Sequence, residues 1–417
     1  MSKLVIEGGK KLSGQIATAG DKNSTLSILA ALILTNGVIV LENVPLIADV
    51  FNLIKILEKL GARAEWLRKN TLKVDTTKFH YEKLFTEEIK KLRGSILLLG
   101  GLLTRFKKAE LDLPGGDIIG ARPIDTHIQA LEDLGAEIEI NHKIIGRFEK
   151  IKNETIILKE VSVTATENIM IFCGLIEKEV NLRLIATEPS VQALGEFLQK
   201  LGVKIKGLGT NFITIKGNRH LKKFVRFKIP SDLTEFATFA CLAAATKSKI
   251  EIIGLRKNFL DSFFLVAKEM NIKFNLNRQS LTVLPAQIKS TKIQTGLYPK
   301  FLSDMQPPFG VLATQARGVT LIHDWLYENR FGYLQELICM GANAEILDPH
   351  RALIIGPTPL IGKNVRSLDI RAGIAVLIAG LIAEGTTIID EAEKIDRGYE
   401  KIEIRLKKLG ARIERIN

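Results

Sequence analysis

Leu57-Glu58-Lys59-Leu60-Gly61-Ala62-Arg63-Ala64-Glu65-Trp66 is a phrase that the chain repeats five more times. It returns as LEDLGAEIEI (131–140), LQKLGVKIKG (198–207), AKEMNIKFNL (267–276), ELICMGANAEI (336–346) and LKKLGARIER (406–415). Leucines three apart mark the apolar face of a helix's last turns. Gly61, Gly135, Gly202, Asn271, Gly341 and Gly410 then fall where a left-handed residue ends the helix, a conformation that suits Gly and Asn. An alternating strand follows, as in Ala136 to Ile140. Successive pivots lie 74, 67, 69, 70 and 69 residues apart, so six units account for almost all of the 417 residues. A fixed period of this kind marks a repeat architecture.

Working outward from the phrase, each unit holds a second helix that is apolar nearly all round. Examples are STLSILAALILT (24–35), GSILLLGGLLTR (94–105), ENIMIFCGLIEK (167–178), EFATFACLAAAT (235–246) and GIAVLIAGLIAE (373–384). A helix without a polar face must be covered on every side. The expectation is an α/β protein in which these helices lie inside, with sheets of three or four strands and the amphipathic helices packed around them. That is the reverse of a TIM barrel. Six units form either one ring or two groups of three. Anion-binding motifs occur in both halves, which argues for two groups with the active site in a cleft between them.

Composition narrows the function. The chain is 46% hydrophobic and carries +13 net charge from 59 basic and 46 acidic residues, with the lysines scattered rather than clustered. A basic balance fits nucleic acid or a small polyanion, but scattered lysines without interleaved aromatics read mostly as solvated surface, and no nucleic-acid partner is expected. The first residues lack the apolar segment of a secretory signal. The longest apolar runs are too short to span a bilayer. A cytoplasmic protein with no membrane association is expected. Cys173, Cys241 and Cys339 stand alone in apolar helical runs and are expected to be buried reduced thiols. No HxxxH, HExxH or paired CxxC spacing is present, so no metal site is expected.

Several motifs carry chemistry. Ala19-Gly20-Asp21-Lys22-Asn23-Ser24 opens a buried helix, with Asn23 or Ser24 as its cap and Lys22 beside a helix N-terminus that suits an anion. Leu113-Pro114-Gly115-Gly116-Asp117-Ile118-Ile119-Gly120-Ala121-Arg122-Pro123-Ile124-Asp125-Thr126-His127 combines three glycines and two prolines with dense charge, which fits a lid over an anionic substrate. Asp304, in Ser303-Asp304-Met305, precedes the helix of the fifth unit and is either its N-cap or something more. Arg330, Arg371 and Arg397 each sit at a strand-to-helix junction of the C-terminal half. Three guanidiniums in such places fit a phosphate and carboxylate clamp.

The strings KNSTLSILAALI, LPGGDIIGARPIDTHIQALEDLGAEI, ENRFGYLQELICMGANAEI, DIRAGIAVLIAGLIAEGTTIID and IDRGYEKIEIRLKKLGA closely resemble the UDP-N-acetylglucosamine 1-carboxyvinyltransferase family of enolpyruvyl transferases. The resemblance runs from residue 3 to 416. It implies two inside-out α/β barrel domains, each of three units around a pseudo-threefold, one at 22–229 and the other combining 1–21 with 230–417. It implies transfer of the enolpyruvyl group of phosphoenolpyruvate to the 3-hydroxyl of UDP-N-acetylglucosamine, the first committed step of peptidoglycan precursor synthesis. The implied reaction needs no organic cofactor either.

Carried over position by position, Lys22, Asn23, Arg122, Arg371 and Arg397 match phosphoenolpyruvate positions. Arg93, Arg122, Pro123, Ile124, Asp125, Thr126 and His127 match the UDP-sugar site. So do Glu160, Val161, Ser162 and Val163 in the first half, and Asp304, Leu326 and Arg330 in the second. Asp304 matches the residue that takes the proton of the sugar hydroxyl. Asp117 falls where most members carry a lid cysteine, and as a neutral acid it is still able to donate a proton. Lys22, Asp117, Asp304 and Arg397 are thus the expected catalytic set. Glu160 stands where a basic residue is common, and the 231–238 segment departs from the family wording. The alternatives are an enolpyruvyl transferase acting on shikimate 3-phosphate or another nucleotide, or a non-catalytic UDP-sugar-binding relative.

Overall fold

The computed structural model describes residues 2–116 and 119–416. The chain divides into two compact units. One runs from Gly20 to Pro230, apart from a short stretch near residue 120. The other takes the chain up to Ala19, that stretch, and everything from Ser231 onward. Each unit has its own hydrophobic core.

In the Gly20–Pro230 unit, three inner helices pack on one another: Lys22–Ala31, Leu98–Phe106 and Val163–Cys173. Three outer helices, Ala48–Lys59, Asp125–Asp133 and Pro189–Leu201, each bury one face. The strands form three sheets. Phe224–Lys228, Val38–Glu42, Thr71–Asp75 and Arg63–Arg68 lie side by side in that order, as do Lys204–Lys206, Phe212–Lys216, Glu179–Arg183 and Thr155–Ile157. The third sheet has only Lys108–Asp112, Lys143–Phe148 and Ala136–Ile140. Each four-stranded sheet contains one parallel pair, such as Phe224 opposite Val38. In the three-stranded sheet that parallel strand shrinks to a single bridge between Leu84 and Leu111.

The second unit repeats the plan. Its inner helices are Leu233–Ala245, Gln306–Thr314 and Ile370–Ile382, and its outer ones are Asp261–Glu269, Gly332–Cys339 and Ile402–Lys407. All thirteen residues of Leu233–Ala245 are buried. The N-terminal strands complete two of its three four-stranded sheets. Lys3–Glu7 lies between Thr386–Asp390 and Arg412–Ile416, and Ser13–Ala17 runs parallel to Lys249–Ile253.

All six pivots adopt the left-handed conformation, with φ between 59° at Asn271 and 109° at Gly135. The inner helices depart from the sequence reading at their ends. The first starts at Lys22 and passes into a 3-10 turn at Leu32–Leu34. The third stops at Cys173 rather than Lys178, because the next residues turn to meet Gly217, whose N–H donates to the Ile176 carbonyl at 2.7 Å. Cys173 and Cys241 are buried, whereas Cys339, at the end of an outer helix, is exposed and corrects the expectation of a buried thiol. Among the described residues no helix is long and apolar enough to cross a membrane.

Candidate active site

The Gly20–Pro230 unit places its candidate cation at a helix start. Gly20 is required there, since a Cβ would lie 1.8 Å from the Asn43 carbonyl oxygen. Asp21 is the N-cap: its carboxylate accepts from Ser24 N–H at 2.6 Å and from the Ser24 hydroxyl. Asn23 and Ser24 therefore belong to the first turn and are not the cap. Asn23 is exposed. Lys22 is the first helical residue, and its ammonium meets the buried Asp49 carboxylate at 3.0 Å. Nothing in the sequence pattern flagged Asp49, which reads as an ordinary acidic residue in the first turn of an outer helix.

Arg93 holds the base of the glycine-rich loop. Its guanidinium donates to the carbonyls of Arg122 and, at 3.1 Å, Pro123. Arg122 itself sits at φ 44°, a strained conformation for a residue with a Cβ. Beyond it, Asp125 opens the outer helix, where a carboxylate complements the helix dipole. The Thr126 hydroxyl donates to Glu160 at 3.2 Å. His127 is buried, with Nε2 bonded to Thr164 at 3.0 Å and Nδ1 to Asn168 at 3.1 Å. Burial, helped by the charge of Arg93, lowers its pKa to about 3, so the ring is neutral. Both ring nitrogens are engaged inside the unit, so the ring ties the start of the outer helix to the Val163–Cys173 helix. Ser162 caps the Val163–Cys173 helix. Pro123 is exposed, while Ile124, Val161 and Val163 are half-buried. The structure thus joins the 122–127 segment to residues 160–164 through two side-chain bonds, Thr126 to Glu160 and His127 to Thr164. Asp117 lies outside the described residues.

In the other unit the decisive group is Asp304. It sits in a 3-10 turn, Ser303–Met305, and the following helix is capped by Met305 with no side-chain bond. The N-cap reading of Asp304 is therefore wrong. Arg330 donates to its Oδ1, and Arg371 to its Oδ2 at 2.9 Å. Both arginines are almost wholly buried, yet a third of the Asp304 side chain remains exposed. Burial works against the charge on Arg330 and Arg371. Asp304 opposes it most strongly, and with Asp369 and Asp324 around Arg330 and Tyr399 and Asp232 around Arg371 the balance tips, so both guanidinium pKa values are raised. The arginines continue the network. Arg371 donates to the Tyr399 hydroxyl at 3.3 Å, which in turn bonds Thr238 at 3.0 Å. Arg330 donates to Ser303 Oγ at 3.1 Å, and Ser303 donates to the buried Asp324 at 2.7 Å.

The three arginines do not form one clamp of equivalent residues. Arg330 and Arg397 precede outer helices, whereas Arg371 begins an inner one, and Arg330 and Arg371 each give one guanidinium nitrogen to Asp304. Arg397 is half-buried at the end of the Ala392–Arg397 turn, next to Asp396, which Arg415 grips at 2.7 and 3.0 Å. Leu326 is half-buried in the loop before Arg330. Ile119, from the glycine-rich loop, accepts from Asn329 N–H at 3.2 Å. Ser303 and Asp324 were missed in the sequence. A charged residue directly after the Gly318–His323 strand was the available signal.

Chemically, one unit offers a lysine and an arginine at loop and helix starts. The other offers a partly exposed carboxylate held by two guanidiniums. These are groups for binding anions and for taking a proton. Among the described residues no group of three or more His, Cys, Asp or Glu gathers as a metal site would require. The fold and these groups define a class: residues 6–406 match the family model described as EPSP synthase (3-phosphoshikimate 1-carboxyvinyltransferase), and the chain belongs to this family of enolpyruvyl transferases.

Within it, the chain is similar over its full length to proteins named UDP-N-acetylglucosamine 1-carboxyvinyltransferase. That of Campylobacter hominis is 42% identical, covering 100% of this chain and 99% of the relative. That of Bradyrhizobium diazoefficiens is 39% identical, covering 99% and 98%. Among solved structures, the enolpyruvyl transferase NikO from Streptomyces tendae superposes with a TM-score of 0.90 at 24% identity, covering 100% of this chain and 99% of that one. An EPSP synthase from Acinetobacter baumannii gives 0.79 at 16%, with both chains covered in full. These two likenesses establish the fold.

Proposed function

We propose that this protein transfers the enolpyruvyl group of phosphoenolpyruvate to the 3-hydroxyl of UDP-N-acetylglucosamine and releases phosphate, a cytoplasmic step in making peptidoglycan precursors. The observation that carries the reading is the full-length identity of 42% to a relative bearing that name. The site geometry supports it. Asp304 is the base that accepts the hydroxyl proton, and its fixed orientation suits that role because Arg330 and Arg371 hold one oxygen each. The freed oxygen bonds to C2 of phosphoenolpyruvate while C3 gains a proton. The tetrahedral adduct then loses a C3 proton and expels phosphate from C2, restoring the double bond.

Lys22, Arg122 and Arg397 bind the phosphate and carboxylate of phosphoenolpyruvate, with Asn23 beside them. Lys22 exchanges its Asp49 contact for the substrate or shares it. Arg93, Pro123 to Thr126, Glu160 to Val163 and Leu326 line the UDP-sugar site. Asp117 on the loop is the proton donor to C3. Positioning and charge neutralisation supply most of the acceleration.

Phosphate release measured with both substrates present tests the reading. Activity that requires UDP-N-acetylglucosamine supports it. Release that proceeds with shikimate 3-phosphate or another nucleotide, and not with UDP-N-acetylglucosamine, replaces it with a sister transferase.

A further inference from the structure

We propose that Asp324, working through Ser303, is the positioning residue that ties the acceptor-binding loop to the catalytic base; the inference rests on the roles of Leu326 and Asp304 proposed above. Asp324 is wholly buried, and its own backbone is pinned on both sides. Its N–H donates to the His350 carbonyl at 2.8 Å, and its carbonyl accepts from His350 Nδ1 at 2.7 Å. The carboxylate then divides its two oxygens between two tasks. Oδ1 accepts from the backbone N–H groups of Leu326 at 3.1 Å and Tyr327 at 3.3 Å, which sets the turn that carries Leu326. Oδ2 accepts the Ser303 hydroxyl proton at 2.7 Å.

With its proton committed to Asp324, Ser303 Oγ has its lone pairs aimed at Arg330, whose Nε–H donates to it at 3.1 Å. That fixes the roll of the guanidinium, whose Nη2 reaches Asp304 Oδ1. A buried guanidinium with Nε held is far less free to rotate than one held at its tip alone. One carboxylate therefore orients both the wall against which the acceptor lies and the arginine that aims the base. A charge is the suitable group here, because it accepts three hydrogen bonds at once in a buried place. Ser303 serves only the branch to the base, while Asp324 serves both.

That asymmetry gives the test. Binding of UDP-N-acetylglucosamine is measured by calorimetry, and turnover by phosphate release, on the full chain. Ser303→Ala is expected to lower kcat by ~10- to 100-fold, the effect of a misplaced catalytic group, with the dissociation constant for UDP-N-acetylglucosamine within about twofold of wild type. Ser303→Thr keeps the hydroxyl and restores most of kcat. Asp324→Asn is expected to lower kcat and also to weaken UDP-N-acetylglucosamine binding by about tenfold, since its amide serves only part of the donor set.

A structural role alone predicts lower melting temperatures with kcat and binding preserved in the folded fraction. That result, or a failure of threonine to restore kcat, overturns the proposal. If Asp324→Asn does not fold, the Ser303 pair decides the question. A wild-type protein that releases no phosphate with these two substrates overturns the functional reading and this inference with it. Normal wild-type turnover with an unimpaired Ser303→Ala overturns this inference alone.

Discussion

Glu235 and Glu167 each lie wholly buried in the first turns of an inner helix, one in each unit, and the two units treat them differently. Burial pushes the Glu235 carboxyl up, and the Arg405 guanidinium pulls it back by bonding both of its oxygens. Ala19 N–H also donates to it at 2.5 Å. Among the described residues no cation bonds Glu167. Burial, reinforced by the like charges of Asp21 and Glu188 and only partly opposed by a hydrogen bond from Ser190, raises its pKa to about 8. Its Oε1 is buried without a hydrogen-bond partner among the described residues.

The same contrast runs through the candidate site. The C-terminal unit pairs several of its acids with guanidiniums, with Asp304 between Arg330 and Arg371 and Asp396 on Arg415. Among the described residues the other unit pairs the largely buried Lys22 with Asp49, and it carries its further site groups on a loop. On the roles proposed above, preorganised charge goes with the step that aims a base, and adjustable charge with the step that grips an anion.

The largest effect expected from breaking this contrast is on turnover. Asp304→Asn keeps the size and both arginine contacts in part but cannot take a proton, so turnover is expected to fall ~100- to 10,000-fold. UDP-N-acetylglucosamine binding is expected to stay near wild type. Activity within a few-fold of wild type, measured by phosphate release, removes Asp304 from the base role.

Next comes stability. Arg371→Ala strips one of the two cations from Asp304 and leaves the Tyr399 hydroxyl without its donor. Breaking a buried pair costs about 3–5 kcal/mol, and the lower end applies because Arg330 remains. Urea denaturation showing a loss below about 1 kcal/mol makes the cluster no more than a surface-like pair.

Glu167 sharpens the comparison through pH. Its folded pKa lies above the ordinary 4.5, so the folded protein holds a proton that the unfolded chain has released. The stabilisation from that proton is complete below pH 4.5 and is lost as pH rises through about 8. Between pH 6 and 8 this amounts to roughly 2–3 kcal/mol. Glu167→Gln keeps the shape without the titration and is expected to flatten that slope. Parallel pH–stability curves for the two proteins mean that Glu167 does not titrate in this window.

Much of this architecture was legible because periodicity reports burial. The six pivots and the apolar helices follow from spacing alone, and all six pivots have the left-handed geometry that the phrase requires. The site was legible only as a set of candidates. Arg330, Arg371 and Asp304 stood out as charged residues at junctions, but the sequence holds no trace of their binding one another, since 26 and 67 residues separate the partners. Asp324 and Asp49 resemble any acidic residue at an element's edge until the fold buries them. His127 looked like a site residue because of the motif around it, and proved to face Thr164 and Asn168.

The smallest expected effect concerns how Lys22 is presented. Asp21 has two roles that one substitution would confuse. It caps the first inner helix, and its charge is one of those that raise the Glu167 pKa. Asp21→Ala removes both, and Asp21→Asn removes only the charge, because asparagine caps as well as aspartate. The helix itself is held by packing on all sides, so losing the cap does not unravel it. The difference between the two variants is therefore the cap alone, expected to be about 1 kcal/mol. Measuring both at pH 5 keeps Glu167 protonated in each and takes its titration out of the comparison. If Lys22 owes its place to the cap, Asp21→Ala also needs more phosphoenolpyruvate for half-maximal rate than Asp21→Asn does. Equal stability and equal phosphoenolpyruvate response in the two variants show that the buried Asp49, and not the helix cap, holds Lys22 in position.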